Sequence, residues 1–281
     1  MKSNETGKFH QETSPSYWLP KDEDEQQRLT VQHLALKELY DGNVLSSIRN
    51  LLDFEKGISI LDVGCGSGIW IMDMITDYPH CTYQGCDIVD TTNKVLKISQ
   101  FTFNYGNVLK RLPYSDNTFD YVNMRLLIFA LRKEEWPQAI KELVRVTKPK
   151  GMIQLTETVL TLIDGEPQIY HAVKTALIAV CKSRGQNPKI AEDLESILEK
   201  NEKVKIIQLD ARKCNMSSNT NTAKKFVWDC IEGLRGVWDT VGPILGKSGE
   251  RGLEEVTVEL EACLTTEDSY FSVNSIAVQK L

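Results

Sequence analysis

The 281-residue sequence lacks the features of a membrane, metal-binding or disulfide-stabilised protein. No apolar run approaches the roughly 18 residues that span a bilayer. The polar N-terminal stretch contains no apolar segment of the signal-peptide type, so we expect no secretion signal. The seven cysteines include no CxxC pair, and an odd, scattered set predicts reduced thiols in the cytoplasm or the nucleus. We therefore expect no bound metal and no membrane partner.

The sequence also has no excess of positive charge. Its 39 acidic and 33 basic side chains give a formal net charge of −6. Because an acidic surface repels phosphate backbones, we expect no nucleic-acid partner. Hydrophobic residues make up 41% and charged residues 26% of the chain, which is typical of a globular protein and excludes a disordered one.

The chain divides into a polar tail and one large domain. We interpret residues 1–20 as a flexible tail and residues 21–281 as the domain, which opens with a helical leader over 21–50. The acidic residues from Asp22 to Glu25 favour a helix start, because they complement the partial positive charge of a helix N-terminus. From residue 58 strand and helix signals alternate, which predicts a parallel sheet. The predicted strands are Ile58–Val63, Cys81–Ile88, Gln100–Asn104, Phe119–Met124, Met152–Glu157, Val204–Leu209 and Tyr270–Val278.

The most informative segment is the glycine-rich turn after the first predicted strand, Asp62-Val63-Gly64-Cys65-Gly66-Ser67-Gly68. Glycines there let the backbone turn tightly and let a ligand approach main-chain atoms. Dinucleotide, phosphate and nucleoside sites all use such a turn. Here Ile69 stands where a dinucleotide fingerprint has its third glycine, and Asp62 would repel a pyrophosphate but attract a cationic amino-acid ligand. No Gly-Lys-Ser/Thr follows, which excludes a P-loop.

A second carboxylate, Asp87, ends the second predicted strand in the run Gly85-Cys86-Asp87-Ile88. An acidic residue at this place can accept hydrogen bonds from both hydroxyls of a ribose. The alternative is an ordinary surface aspartate at a strand end. A third landmark, Tyr105-Gly106-Asn107-Val108, lies after the third predicted strand.

Together these motifs resemble those of the class I S-adenosylmethionine-dependent methyltransferases. LDVGCGSG resembles the first motif of that family, GCDI its ribose-binding motif, and GNVLKRLPYSDNTFDYV its run from the adenine loop to the fourth strand. The leader, from Tyr17-Trp18 to Gln32-His33, is similar to that of fungal methyltransferases of secondary metabolism, which include velvet-associated regulators. The resemblance implies an α/β, Rossmann-like fold: a mostly parallel seven-stranded sheet with an antiparallel last strand, a helical N-terminal extension and a helical insertion, over about 215–265, before the last strand.

The resemblance also implies S-adenosylmethionine as the cofactor, bound by a core over 58–157. Asp62 and the glycine turn would hold its amino-acid part, and Asp87 its ribose. The adenine would lie against Ile88 and next to Asn107, where many relatives have an aspartate. The implied cofactor-binding residues are Asp62, Gly64, Cys65, Gly66, Gly68, Asp87, Ile88, Asn107, Val108, Met124 and Arg125, the last two lining the methyl-donor side.

Four side chains are weaker candidates for chemistry or acceptor binding. Glu157 ends the fifth predicted strand, where ligands of open α/β sheets bind, so it could contact the acceptor or take its proton. The alternative is a structural carboxylate. His33 could reach the site from the leader, or it could be a hydrogen-bonded packing residue. Tyr17 and Trp18 could fold over the donor as an aromatic lid, since aromatic faces attract cations, or they could pack in the interior.

The acceptor is the least determined part of the function. Enzymes that methylate amino groups of DNA carry an Asn/Asp-Pro-Pro-aromatic run where this chain has Asn123-Met124-Arg125-Leu126, so that activity is not expected. The first hypothesis is an enzyme that methylates a small, secondary-metabolite-like molecule bound under the helical insertion. The second is a cofactor-binding regulator that acts through protein partners with little or no turnover.

Overall fold

The computed structural model describes residues 18–19, 22–90 and 99–281. Its centre is a seven-stranded sheet with the strand order β3-β2-β1-β4-β5-β7-β6. The strands are β1 (Ser59–Val63), β2 (Thr82–Asp87), β3 (Phe101–Tyr105), β4 (Phe119–Arg125), β5 (Thr147–Thr158), β6 (Val204–Asn215) and β7 (Tyr270–Lys280).

The sheet is parallel except for its last strand. Strands β1 to β5 pair in parallel, and β7 pairs antiparallel with both β5 and β6. The predicted fold class is therefore confirmed. Because β2 lies on one side of β1 and β4 on the other, the chain direction across the sheet reverses beside β1. Ligands of open α/β sheets bind at such a point, outside the carboxyl ends of the strands.

Helices cover the sheet on both faces. α1 (Glu23–Leu39) begins at the acidic run because Asp22 accepts a hydrogen bond from the Glu25 N–H at 2.9 Å. The insertion between β6 and β7 consists of α7 (Asn221–Gly236), α8 (Trp238–Val241) and α9 (Gly249–Thr266). The division of the chain into a tail and a domain stays a prediction. The other helices are α2 (Ser46–Leu51), α3 (Ile69–Asp77), α4 (Trp136–Val146), α5 (Gln168–Ser183) and α6 (Ile190–Glu199).

Apolar side chains form three clusters. The first packs α4 and α6 against one face of the sheet, and the second packs α2 and α3 against the other. Neighbouring residues of β1 point to opposite clusters, with Leu61 in the first and Ile60 in the second. The third cluster lies among α1, α5, α7 and α9. The leader helix is therefore packed together with the helical insertion.

The edge strand β6 continues past the predicted end at Leu209 to Asn215. Its second half contains polar residues such as Asp210 and Arg212, which give no signal of a buried strand. It remains a strand because it pairs with β7 along its whole length, as far as Asn215 opposite Tyr270. Pairing with a neighbour, which the sequence of one segment does not reveal, decides the length of this strand.

Three features can be examined over the described residues. No helix there is long and apolar enough to cross a bilayer. No group of three or more histidine, cysteine, aspartate or glutamate side chains there could hold a metal ion. All seven cysteines fall within the described ranges and are free thiols, six of them buried.

The fully buried Leu143 of α4 offers a test of the first core cluster. We expect Leu143→Ala to lower the free energy of unfolding by about 2–5 kcal/mol, because it removes buried methyl groups and leaves a cavity. Urea unfolding followed by circular dichroism measures the change. As a control, Val258→Ala on the exposed side of α9 should change stability by less than about 0.5 kcal/mol. Equal effects of the two substitutions would contradict this packing.

Candidate functional site

The glycine turn lies between β1 and α3, at the point where the sheet order reverses. Gly64, Gly66 and Gly68 have φ angles of 72°, 52° and 80°, a region that residues with a Cβ rarely adopt. The N–H groups of Gly64 and Cys65 both donate to the carbonyl oxygen of Cys86, at 2.7 and 3.2 Å. The turn is thus bent by its glycines and anchored to the end of β2.

The carboxylate of Asp87 is held at the mouth of this turn. Its Oδ2 accepts a hydrogen bond from the Gly66 N–H at 2.9 Å, and its Oδ1 accepts one from the Val89 N–H at 3.1 Å. A Cβ placed on Gly66 would meet no atom within 4 Å, so open space lies beside this backbone. These two bonds tie the carboxylate to the glycine turn and to the backbone that follows β2.

A cavity of about 310 Å³, here called the loop cavity, opens over the turn. It brings together most of the residues that the sequence indicates for cofactor binding. Gly68 and Met124 are exceptions: Gly68 is the N-cap of α3, and Met124 is fully buried in the first core cluster. The indicated residues on its wall are Asp62, Gly64, Cys65, Gly66, Asp87, Ile88, Asn107, Val108 and Arg125, together with His33.

Asp62 is a buried acid at the inner end of the loop cavity. Its Oδ1 accepts a hydrogen bond from Nδ2 of Asn123 at 2.8 Å. The pairing of β1 with β4 places these two residues opposite each other. Burial raises the pKa of Asp62 to about 6, although the charge of Arg125 and the amide of Asn123 oppose the rise. A cationic ligand group in this cavity would therefore stabilise the ionised carboxylate.

Arg125 is held in place by a histidine. A guanidinium can only donate, so the 3.1 Å contact between Nη1 of Arg125 and Nδ1 of His33 makes this nitrogen the acceptor. The Nε2–H of His33 then donates to Oδ2 of Asp73, 3.0 Å away. Burial and the charge of Arg125 lower the pKa of His33 to about 3, against the opposing effect of Asp73. The imidazole is therefore neutral and acts as a hydrogen-bonded support for Arg125.

Glu157 lines neither the loop cavity nor the second cavity described below. Its two carboxylate oxygens accept hydrogen bonds from the N–H groups of Leu127 and Ile128, at 2.8 and 3.0 Å. Burial raises the pKa of Glu157 to about 8 in spite of these two bonds. The side chain thus holds the turn after β4, which is the structural alternative to the substrate or base role.

The residues expected to contact the adenine, Ile88, Asn107 and Val108, all line the loop cavity. The carbonyl oxygen of the Asn107 side chain accepts a hydrogen bond from the Leu109 N–H at 2.9 Å, so it shapes its own loop. Ile88 is 38% exposed and presents an apolar surface to the cavity. Val108 is buried beside it. The described structure therefore gives this side an apolar wall with one amide.

A second cavity of about 150 Å³, here called the cap cavity, lies beneath the helical insertion. Trp18 lines this cavity and not the loop cavity, which corrects the expectation that it covers the donor. Its ring packs edge-on against Phe129 at 5.5 Å, and its Nε1–H donates to Oε1 of Gln186 at 3.3 Å. Tyr17 lies outside the described residues.

The sequence reasoning missed a buried polar cluster on the wall of the cap cavity. Arg28 donates from Nη1 to Asp229 at 2.6 Å, and from Nε and Nη2 to Glu25 at 2.7 Å. Gln32 donates from Nε2 to the other oxygen of Asp229 at 2.9 Å. The available signal was the spacing of Arg28 and Gln32, one helical turn apart on the leader. Asp229 lies off the apolar stripe of α7 and gave no signal.

Comparison with known proteins identifies the class of this domain. Residues 60–151 match the family model described as a methyltransferase domain. The secondary metabolism regulator LaeA of Coprinopsis cinerea is 28% identical over 164 residues, which are 56% of this chain and 39% of that protein. A demethylmenaquinone methyltransferase of Listeria monocytogenes is 31% identical over 131 residues, 43% of this chain and 54% of that enzyme. The chain thus matches about half or less of the length of these relatives.

Solved structures agree with the fold. Phosphoethanolamine N-methyltransferase 2 of Haemonchus contortus, in complex with S-adenosyl-L-methionine, superimposes with a TM-score of 0.53 at 17% identity and covers 92% of this chain and 58% of its own. The cyclase SpnF superimposes with the same TM-score of 0.53 at 17% identity and covers 93% and 98%. At this identity the likeness concerns the fold alone, which hosts more than one chemistry.

These findings define the class. Residues 60–151 match a methyltransferase domain, the fold is that of the class I S-adenosylmethionine-dependent methyltransferases, and 164 residues of the chain are similar to LaeA.

The neutral state of His33 links the stability of the fold to pH. Because its pKa is lowered from 6.5 to about 3, it contributes stability that is present above pH 6.5 and is lost as the pH falls toward 3. Relative to His33→Gln, we expect the wild-type protein to lose up to about 1.4 kcal/mol of unfolding free energy per pH unit below 6.5. Urea unfolding of both proteins between pH 4.5 and pH 8 measures this difference.

The titration of Glu157 also changes stability with pH, but it does so equally in the wild type and in His33→Gln. Its raised pKa contributes in the opposite direction, since the folded state holds that proton more tightly than the unfolded state between about pH 4.5 and 8. This contribution is the same in both proteins and cancels. Identical pH slopes for wild type and His33→Gln would show that His33 is not held neutral.

Proposed function

We propose that this chain transfers the methyl group of S-adenosylmethionine to a small molecule. The observation that carries the proposal is a shared wall: Leu29, Gln32 and Leu126 line both the loop cavity and the cap cavity. A donor in the loop cavity and an acceptor in the cap cavity would therefore meet at these residues. Alignment of the two reactants supplies much of the rate of a displacement reaction.

The loop cavity suits the donor because its charges match those of a zwitterionic amino acid. In the proposed arrangement Asp62 faces the ammonium group, and Arg125, supported by His33, faces the carboxylate. Asp87 accepts hydrogen bonds from the ribose hydroxyls, and Ile88 packs against the adenine. Hydrogen bonds to charged groups contribute about 1.5–3 kcal/mol each, so this set can hold both ends of the ligand.

The protein's own contribution to the chemistry is placement and the exclusion of water. When bound, S-adenosylmethionine supplies a methyl group on a positively charged sulfur. The leader helix α1 provides Leu29, Gln32 and His33, and so contributes to both cavities. Glu157 has no part in the proposed chemistry, because its carboxylate is engaged by two backbone N–H groups.

A small-molecule acceptor agrees with the activity named for the similar demethylmenaquinone methyltransferase and with that of the structural neighbour phosphoethanolamine N-methyltransferase 2. The cap cavity is enclosed by helices of the insertion and by α1 and α5, which favours a compact acceptor over a protein side chain on a large surface. The similarity to the LaeA regulator favours a second candidate, a donor-binding protein that acts through protein partners.

One experiment separates the two candidates. Purified protein is incubated with S-adenosylmethionine carrying a labelled methyl group and a mixture of small secondary metabolites, and the products are resolved by mass spectrometry. We expect label in a small molecule, and about tenfold less label when the Asp87→Ala protein is used at a donor concentration below the wild-type dissociation constant. Binding of S-adenosylhomocysteine without any labelled small molecule would favour the regulator.

Asp87 tests the donor site directly. We expect Asp87→Ala to weaken the binding of S-adenosylhomocysteine at least tenfold, because a charged acceptor for the ribose hydroxyls, worth about 1.5–3 kcal/mol per bond, is lost. Isothermal titration calorimetry measures the affinity, and circular dichroism shows whether the variant is folded. Asp164→Ala, on an exposed loop, is the matched control and should bind like the wild type. Unchanged affinity of a folded Asp87→Ala protein would refute the ribose role.

A further inference from the structure

We infer that the acceptor of this protein is an uncharged, mainly apolar molecule that fills the cap cavity and donates a hydrogen bond from its reacting hydroxyl or amino group to Gln32. The inference rests on the proposed function, since it names the acceptor class for that reaction. It follows from the wall of the cap cavity, from the pairing of the charges buried there and from the orientation of one amide.

The wall of the cap cavity is predominantly apolar and partly aromatic. Its aliphatic side includes Val173 and Leu177 of α5, and its aromatic side includes Trp18, Phe129 and Phe271. The volume of about 150 Å³ is that of a cavity able to hold a one- or two-ring molecule. Binding to such a wall is driven by the removal of apolar surface from water.

The positive charges on this wall are already paired with acids. Arg28 lies between Glu25 and Asp229, and all three side chains are nearly inaccessible to solvent. Burial raises the pKa values of both carboxyl groups, although Arg28 opposes the rise. Within this cluster the positive charge of Arg28 is fully used by two acids, which leaves nothing to balance an anionic ligand.

The other buried charge on the wall is paired as well. Nζ of Lys174 donates to Oε1 of Glu166 at 2.6 Å and to the carbonyl oxygen of Thr161 at 2.7 Å. A buried charge that loses its partner costs several kcal/mol. An anionic acceptor would find no free positive charge on the described residues of this wall, and a cationic acceptor would compete with Arg28 and Lys174 for their acids. A neutral acceptor disturbs neither ion pair.

Gln32 offers one hydrogen-bond acceptor at the junction of the two cavities. Its Nε2 must face Asp229, because the carboxylate accepts and only the amide nitrogen donates. The amide is thereby fixed, with Oε1 at its other end. Over residues 18–19, 22–90 and 99–281 no hydrogen bond reaches this oxygen. Since Gln32 lines both cavities, an O–H or N–H group of an acceptor can donate to it beside the donor.

The shared wall contains no titratable side chain, because it consists of Leu29, Gln32 and Leu126. The acceptor therefore binds in its neutral form and is oriented by Gln32. In the transfer, its oxygen or nitrogen bonds to the methyl carbon as the carbon–sulfur bond breaks. The sulfur keeps the electron pair and becomes neutral, and the methylated oxygen or nitrogen carries the positive charge until its proton passes to bulk water as the product leaves the cavity.

Three probes of one shape and different charge test the inference. They are 2-naphthalenemethanol, which is neutral, 2-naphthoate, which is an anion, and 2-(aminomethyl)naphthalene, which is a cation at pH 7. Each is titrated by calorimetry into protein saturated with S-adenosylhomocysteine. We expect the neutral probe to bind at least tenfold more tightly than either charged probe. A charged probe that binds as tightly as the neutral one would overturn the inference.

Two variants locate the binding. Val173→Phe fills the cap cavity and should abolish binding of the neutral probe while the affinity for S-adenosylhomocysteine stays within twofold; Val258→Phe, on the exposed side of α9, is the matched control. Gln32→Leu should weaken 2-naphthalenemethanol about tenfold but leave 2-methylnaphthalene, which has no hydroxyl, unchanged. Equal weakening of both ligands would refute the hydrogen bond to Gln32.

Binding of S-adenosylhomocysteine distinguishes a failure of the acceptor class from a failure of the proposed function. Wild-type protein that binds S-adenosylhomocysteine but none of the naphthalene probes contradicts the acceptor class and leaves the donor site intact. Wild-type protein that binds no S-adenosylhomocysteine contradicts the proposed function, and the acceptor class fails with it.

Discussion

The position of the leader helix α1 is the constraint on which both cavities depend. Arg28 ties this helix to α7 through Asp229, and His33 ties it to α3 through Asp73. The first of these contacts is buried, and breaking a buried ion pair by removing one partner costs about 3–5 kcal/mol. Because α1 also supplies Leu29 and Gln32 to the shared wall, the same contacts that fix the helix define where the two cavities meet.

Opposite charges would favour a zwitterionic ligand in the proposed donor site. Burial raises the pKa of Asp62 and lowers that of Arg125, and the charge of each group partly offsets the shift of the other. The charged form of each group would therefore gain from a further opposite charge. A ligand that carries both charges, as an amino acid does, relieves both penalties at once, whereas the phosphates of a dinucleotide would add to the charge of Asp62.

The shape of the glycine turn follows from residues that are neighbours in the sequence. The glycine turn and Asp87 were identifiable because a backbone with three positive φ angles requires glycine, and because strand ends of a parallel sheet converge at one edge. Glu157 met the same positional criterion, yet its carboxylate serves the backbone of the following turn. Met124 lies in the first core cluster, because strand residues alternate between faces and this one points into the core.

The sequence by itself determined the parallel α/β fold class, the glycine turn and the carboxylates beside it. These features follow from the alternation of strand and helix signals and from short motifs. Only the tertiary structure decided that Trp18 belongs to the second cavity and that Arg28 meets an acid 201 positions away in the chain. Such contacts depend on how separate helices pack, and neither periodicity nor residue type specifies the partner of a buried charge.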